Sequence, residues 1–545
     1  MEKTEKLLNQ IDLSKFSLIY PDERSQIEHY EGKSTPNIDM FVLEELGLLE
    51  AFSLKSSDLD EFFTSDPKVI EHRMAVFADM LAFPQISVTL NRLFPILTDI
   101  MELRRLEADF GDNTESYLES ITEIELYISS ISTLHDGFSE IKDSLTSDAF
   151  KALAQRIDDL VCSDYYAELN TKLSELTNRV RDIKSVTIGV NLDAQLRPSS
   201  AGVLSINPES FHSGDVIDKI LRLNFKDNEY TCIANLVPFN KKQSENQRTA
   251  LSLAFNSAIN DVYKQSLRSW KKIVQSFVLE NTDFLLNLMP EIEFLVKATN
   301  LLRTLSDKGL TLCKPEIITD RNVFIAKDLY NPCVALKVEG EIIANDVEFD
   351  NDVMIFVLTG PNRGGKSVIT CAIGLAQAML QLGMFVPAAS ATISIADGIY
   401  THFPTGADDT IDKGRLGEEC ARLRDIFHDV TKDSLVLLDE SLSSTGSYEA
   451  SYIAGEVLAG FSRIGCRCLF STHLHELAAE IDNINARTAP DGGTRIDSLV
   501  AGIEDGKRSF KIYRMKPDGK SYARDIADKY GLSYETIVDT AINNR

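Results

Sequence analysis

Gly360-Pro361-Asn362-Arg363-Gly364-Gly365-Lys366-Ser367 fits the spacing G-x-x-x-x-G-K-[ST], in which each residue type has a task on a phosphate chain. Glycines let successive backbone N–H groups curl around phosphate oxygens at a helix N-terminus, which Val368 continues. Lys366 reaches the β- and γ-phosphates, and the Ser367 hydroxyl is suited to ligate Mg²⁺. Downstream, the apolar run Ser434 to Leu438 ends in Asp439 and Glu440. One of two adjacent acids can hold Mg²⁺ while the other polarises an attacking water, and we assign Asp439 to the metal and Glu440 to the water. His473 ends a third apolar run and is expected to sense or stabilise charge at the γ-phosphate. Cys466 and Cys468 with His473 and His475 superficially resemble a zinc set, but the cysteines sit in a segment suited to burial, so phosphate chemistry is the reading adopted.

These groups need elements to carry them. Met354 to Leu358 reads as a buried strand feeding the glycine loop, and a helix follows to about Leu382. Further strands are expected at Ser434 to Leu438 and Cys468 to Ser471, alternating with helices in an α/β texture that starts near Cys313. The N-terminal half is instead helical: Tyr117, Ile121, Ile124, Ile128, Ile131 and Leu134 recur three or four residues apart. Between about 186 and 225, Val186, Ile188, Val190 and Leu192 alternate, which indicates a small strand-containing insertion. A second long helix is expected with Leu251, Phe255, Ala258, Val262, Trp270, Ile273 and Phe277 on its buried side, followed by helices to about Leu310. The expected organisation is therefore a helical core or lever domain over 1–312 and a P-loop ATPase domain over 313–545.

The 545 residues exceed what one core usually organises, and 43% apolar with 26% charged residues is ordinary for a folded soluble chain. Lys and Arg total 56 against 83 Asp and Glu, a net charge of -27 that opposes non-specific adhesion to nucleic acid or anionic membrane but leaves room for a local basic groove. No apolar run is long enough to span a bilayer, and the start Met1-Glu-Lys-Thr has no signal-like apolar stretch, so a cytoplasmic protein without a membrane partner is expected. Cys162, Cys232, Cys313, Cys333 and Cys371 read as reduced core residues.

At Thr359 to Ser367 the chain resembles the MutS family of DNA mismatch-repair ATPases, whose loop reads T-G-P-N-M-G-G-K-S. The similarity continues through Gly383-Met-Phe-Val-Pro387, Ile399, Gly406-Ala-Asp-Asp409, Ser434 to Glu440, Ser471-Thr-His473 and Lys520-Ser-Tyr-Ala, in the same order. It is strong over roughly 315 to 545 and weaker at Asp66 to Arg73 and Val76 to Leu81, which resemble the start of the family's core domain. The resemblance implies ATP and Mg²⁺ as cofactors, an ABC-type ATPase fold closing as a homodimer with a C-terminal dimerisation segment, and lever helices that signal to a clamp on double-stranded DNA, including mismatched or branched DNA. By the same resemblance, Ile343-Ala-Asn345-Asp-Val347 matches the stretch that contacts adenine, which makes Asn345 a nucleotide-site candidate.

Departures from the family pattern carry their own expectations. The chain has no space before the core helices for the mismatch-recognition and connector domains, and no Smr nuclease module, which points away from the recombination-suppressing branch. Asp412-Lys-Gly-Arg-Leu-Gly-Glu-Glu419 occupies the signature loop without its serine, leaving the Gly414 or Gly417 amide to meet a partner's γ-phosphate. After Glu440 the chain reads Ser-Leu-Ser-Ser-Thr-Gly446 in place of Gly-Arg-Gly-Thr. The alternative function, favoured by the acidic charge, is a nucleotide-switched protein-interaction module without DNA binding.

Overall fold

The computed structural model describes residues 16–38, 40–49, 59–110, 117–181, 185–195, 198–207, 212–213, 231–232, 283–403, 414–504, 507–516, 531–534 and 536–538. Two compact units emerge, one formed by 1–17, 83–145 and 150–293, the other by 18–82, 146–149 and 294–545.

The first unit is mainly helical. Pro84–Phe110 and Tyr117–Phe138 pack together, followed by Asp148–Val161 and Asp164–Arg181. Leu90, Leu93, Leu97 and Ile100 recur at helical spacing and are wholly buried, as are Ile124, Tyr127, Ile131 and Leu134 to within 2%. Burial of such a stripe, rather than helix propensity, stabilises long helices of this kind. Arg104 crosses between helices, donating to Glu123 at 2.9 Å and to Asp283. Within the span expected as an insertion, β1 (Ser185–Leu192) forms an antiparallel hairpin with β2 (Pro198–Asn207), and short strands β3 (His212–Ser213) and β4 (Thr231–Cys232) pair in parallel, while 208–211 and 214–225 lie outside the described residues. The predicted helix with Leu251 to Phe277 lies outside the described residues.

The second unit holds two sheets. One contains β5 (Glu316–Ile318), β6 (Phe324–Leu329), β7 (Asn345–Phe349) and β9 (Ser390–Ser394), in the order β5-β9-β6-β7. The other contains β8 (Val353–Thr359), β10 (Ile399–His402), β11 (Leu435–Asp439), β12 (Arg467–Ser471), β13 (Arg495–Glu504) and β14 (Lys507–Arg514), ordered β10-β11-β12-β8-β13-β14. Its first five strands run parallel and only β14 is antiparallel, so the C-terminal ends of β8, β11 and β12 share one edge. Helices cover the sheet: Ala454, Leu458 and Phe461 of Ser447–Ile464 join Ile355, Val357, Val436 and Leu438 in one core. The helix Lys366–Gln381, largely buried, packs against β11 and β12. Parallel strands covered in this way read as unbroken apolar runs, which is why Val353 to Thr359 and Leu435 to Asp439 are buried throughout.

The boundary expected near 312 differs from the observed grouping. Residues 18–82 pack with the sheet-bearing unit: Thr64 N–H donates to Gln381 O at 3.0 Å, and Asn37 bridges to Gly398. The wholly buried Arg73 of helix Pro67–Ala82 lies against Gly383, where an added Cβ would stand 2.4 Å from the Arg73 Cβ. Gly383 has φ +77, so both its backbone and its missing side chain make room for the arginine. Cys162 is exposed and Cys313, Cys333 and Cys371 are only partly buried, against the expectation of core thiols, whereas Cys466 and Cys468 are buried.

Asp79 is a second tie within this unit. Its buried carboxylate accepts from the Thr146 N–H and hydroxyl at 2.9 and 2.6 Å and from the Ser147 N–H and hydroxyl at 2.8 and 2.6 Å, just ahead of the helix Asp148–Val161. Burial pushes its pKa up, but the bonds from Ser147 and Thr146 outweigh it and hold the carboxyl below its usual value. A depressed carboxyl pKa contributes stability above the unfolded value and loses it as pH falls through the folded one. Asp79→Ala is expected to destabilise the protein by about 3 kcal/mol at neutral pH, with the difference from wild type shrinking under acid. Denaturant melts at pH 7 and pH 3 measure this, and a constant difference would show that the charge is irrelevant.

Candidate nucleotide site

β8 ends at Thr359, and the chain turns through Gly360 to Gly365 into the helix that starts at Lys366. Gly360 has φ +142 and passes so close to β13 that an added Cβ would lie 2.7 Å from the Ala501 Cβ. Gly365 caps the helix at φ +91, a conformation open to glycine at little cost. Arg363 also has positive φ, at +61, and is exposed with Asn362, while Pro361 and Gly364 are buried. Lys366 is 4% exposed and its ammonium donates to the carbonyls of Gly360 at 3.3 Å and Pro361 at 3.4 Å. Burial lowers its pKa, and the nearby charges of Glu440 and Asp439 oppose that shift. Ser367 and Val368 face solvent on the first turn.

Asp439 closes β11, two strands from β8 across β12. It is 5% exposed, and its Oδ1 is buried without a hydrogen-bond partner among the described residues. A buried carboxylate oxygen left unpaired near Lys366, with Ser367 exposed on the first turn of the helix that Lys366 begins, suits a divalent cation, so these residues fit Mg²⁺. Glu440, half-buried, follows at φ +47 with its N–H donating to Ser471 O at 2.8 Å. Ser471 pairs in register with Asp439, and its buried Oγ also lacks a partner among the described residues. Its place between the carboxylates and the loop was not read from the sequence, where it was only part of a matched motif. His473 stands exposed two residues beyond β12, next to Thr472, whose N–H donates to Leu358 O at 2.9 Å. Burial pushes the Cys466 thiol up to about 12 and raises that of Cys468 as well, which makes both poor metal ligands at neutral pH.

Beside Gly365 and Val368 lies a cavity of about 320 Å³ lined by Ile342, Ile343, Asn345 and Phe510 among others. Its apolar walls and volume suit a flat heterocycle. The side chain of Asn345 is already engaged: Oδ1 accepts from Ile512 N–H at 2.7 Å and Nδ2 donates to Phe510 O at 3.1 Å. Asn345 thus holds β14 against the cavity, and Phe510, at φ +57 and 45% exposed, presents the ring. No local motif marks Phe510, because its role depends on β14 folding back beside β13. Phe510→Ala is expected to weaken nucleotide affinity about tenfold with turnover at saturation nearly unchanged, since stacking on a base contributes about 1–3 kcal/mol. Titration with a fluorescent nucleotide checks this; unaltered affinity would remove Phe510 from the site.

Of the remaining sequence candidates, Gly414 begins the helix Gly414–Asp429 and Gly417 lies in its first turn. The segments Gly406 to Asp409, Asp412-Lys413 and Lys520 to Ala523 lie outside the described residues.

Comparison with known proteins gives two family matches. MutS domain V matches residues 356–507, and the MutS2 N-terminal domain matches residues 65–308. Among curated relatives, a DNA mismatch repair protein MutS of Clostridium kluyveri is 36% identical over 240 residues, covering 41% of this chain and 26% of that protein. Its counterpart in Lactobacillus johnsonii is 31% identical over 230 residues, covering 41% and 26%. The one in Halothermothrix orenii is 29% identical over 297 residues, covering 54% and 32%. The chain spans about a quarter to a third of the length of these relatives.

Proposed function

We propose, from the premise that this chain belongs to the MutS family, that it binds and hydrolyses ATP and couples the two to clamping or sensing of DNA in repair. The family is one of ATPases acting in mismatch repair, and domain V is its ATPase domain. The observation that carries the reading is the shared edge where β8 delivers the Lys366 loop and β11 delivers Asp439 and Glu440.

In this reading the Gly364, Gly365 and Lys366 amides, with those of Asn362 and Arg363, cradle the phosphates at the helix start. Lys366 faces the β- and γ-phosphates, and Phe510 with Ile342 and Ile343 covers the base. Ser367 and Asp439 would hold Mg²⁺, which neutralises phosphate charge when bound. Glu440 orients and deprotonates the attacking water, and His473 responds to the γ-phosphate. The sheet-bearing unit acts as an ABC-type head, two copies closing around nucleotide as a homodimer. The helical unit acts as lever towards double-stranded DNA, mismatched or branched. A cytoplasmic location without a membrane partner belongs to the same proposal.

The test is ATP turnover and DNA association of the purified protein with homoduplex, mismatched, branched and single-stranded DNA at two salt concentrations. Turnover stimulated by one DNA structure, with association that weakens as salt rises, is expected. Turnover indifferent to every DNA, without salt-dependent association in any nucleotide state, would defeat the DNA part and leave a nucleotide-switched protein-interaction module.

A further inference from the structure

Directly after Glu440 the backbone is held in an unusual way. Glu440 has φ +47 and Leu442 φ +64, so two non-glycine residues in the left-handed region flank Ser441. Each such residue is strained and persists only where its surroundings hold it there. The Glu440 N–H bond to Ser471 O is one restraint. The other is Ser441, 4% exposed, whose hydroxyl donates to the backbone carbonyl of His402 at 3.0 Å. The imidazole Nδ1 of the same His402 lies 2.7 Å from that hydroxyl oxygen.

The two contacts are satisfied together in one histidine tautomer, in which the serine proton goes to the His402 carbonyl and Nδ1–H donates to Ser441 Oγ. The ring is buried among these groups, with Nε2 enclosed. Burial and the neighbouring Arg422 guanidinium push the His402 pKa down to about 4, against the backbone carbonyls of Glu419 and His402 itself, in keeping with a neutral ring. His402 is itself fixed as the last residue of β10, paired in register with Leu438 of β11. Arg422, from the helix Gly414–Asp429, anchors the next residue by donating to Phe403 O at 3.3 Å and binds Glu45 at 3.2 Å.

We infer that His402 and Ser441 are a positioning pair for Glu440, fixing the backbone that aims its carboxylate through two reciprocal hydrogen bonds. The inference rests on the hydrolytic reading of the site. It also gives a role to the Ser441-Leu-Ser-Ser stretch, which departs from the family pattern. Neither side chain lines the cavity beside Gly365, so both act through Glu440.

The experiment measures single-turnover ATP hydrolysis, binding of a fluorescent ATP analogue and thermal melting for the full chain. Variants are Ser441→Ala, His402→Leu and His402→Asn, each alone and combined with Glu440→Gln. Ser441→Ala and His402→Leu are each expected to slow hydrolysis about tenfold with analogue affinity within about twofold of wild type. His402→Asn is expected to recover most of the rate, because its amide N–H can stand where Nδ1–H stands. In the Glu440→Gln background, Ser441→Ala is expected to cost nothing further, as the carboxylate it aims is gone. An equal tenfold loss in that background, or an unchanged rate for Ser441→Ala alone, would overturn the inference. Should His402→Leu fail to fold, Ser441→Ala, which removes a single oxygen, still decides. Glu440→Gln hydrolysing ATP as fast as wild type would bring down the hydrolytic reading and this inference together; a Glu440-dependent rate insensitive to Ser441→Ala brings down this inference alone.

Discussion

Glu440→Gln is expected to lower ATP turnover by about 10²–10⁴-fold while nucleotide affinity stays within about twofold. The substitution keeps the shape and the backbone hydrogen bond to Ser471 O and removes only the negative charge and the basic oxygen. A water facing a γ-phosphate must lose a proton as it attacks, and the amide cannot take it. Asp439, 5% exposed with Oδ1 unpaired, remains to hold the metal, so binding and hydrolysis should separate cleanly in this variant. Parallel equilibrium binding and single-turnover hydrolysis measure the two. Turnover equal to wild type would show that the water is activated elsewhere.

Lys366→Ala is expected to damage both properties, weakening ATP affinity by about 10–100-fold and reducing turnover by about 10³-fold. Lys366 is the buried cation at the end of the glycine loop, and its loss removes a positive charge that the charges of Asp439 and Glu440 act on. Loss of charge-assisted bonds of this type costs about 1.5–3 kcal/mol each. The same residue sets an alkaline limit: burial lowers its pKa, so nucleotide affinity is expected to begin falling at a lower pH than an exposed lysine would dictate. Titrations from pH 7 to pH 10 on wild type and variant test this, and an affinity for ATP equal in both proteins at pH 7 would take Lys366 out of the site.

The phosphate loop was legible from the sequence because its function is local. Eight consecutive residues form the proposed cradle, and the apolar strand before it and the helix after it, both present in the structure, are the only context such a turn needs. Asp439 and Glu440 were legible for a related reason: a buried parallel strand is an unbroken apolar run, so the first charges after it stand at the sheet edge. The helical stripe from Tyr117 to Leu134 likewise gave itself away through its period.

What was hidden depends on which distant segments become neighbours. Ser471 meets Asp439 only because β12 lies between β11 and β8, an order that no stretch of sequence states. Phe510 reaches the cavity beside Gly365 because β14 folds back on β13 and Asn345 ties it there. His402 meets Ser441 because β10 and β11 lie side by side. Residues 18–82 join the unit that bears the phosphate loop because Arg73 and Gly383 fit one another across 310 positions of sequence. By itself, then, the sequence determined the strand–turn–helix form of the glycine loop and the place of the two acids at a strand end, since contiguous residues and local periodicity specify them; the tertiary structure alone decided which side chains lie beside them, since hydrogen bonding and close packing act between segments that only the sheet order brings together.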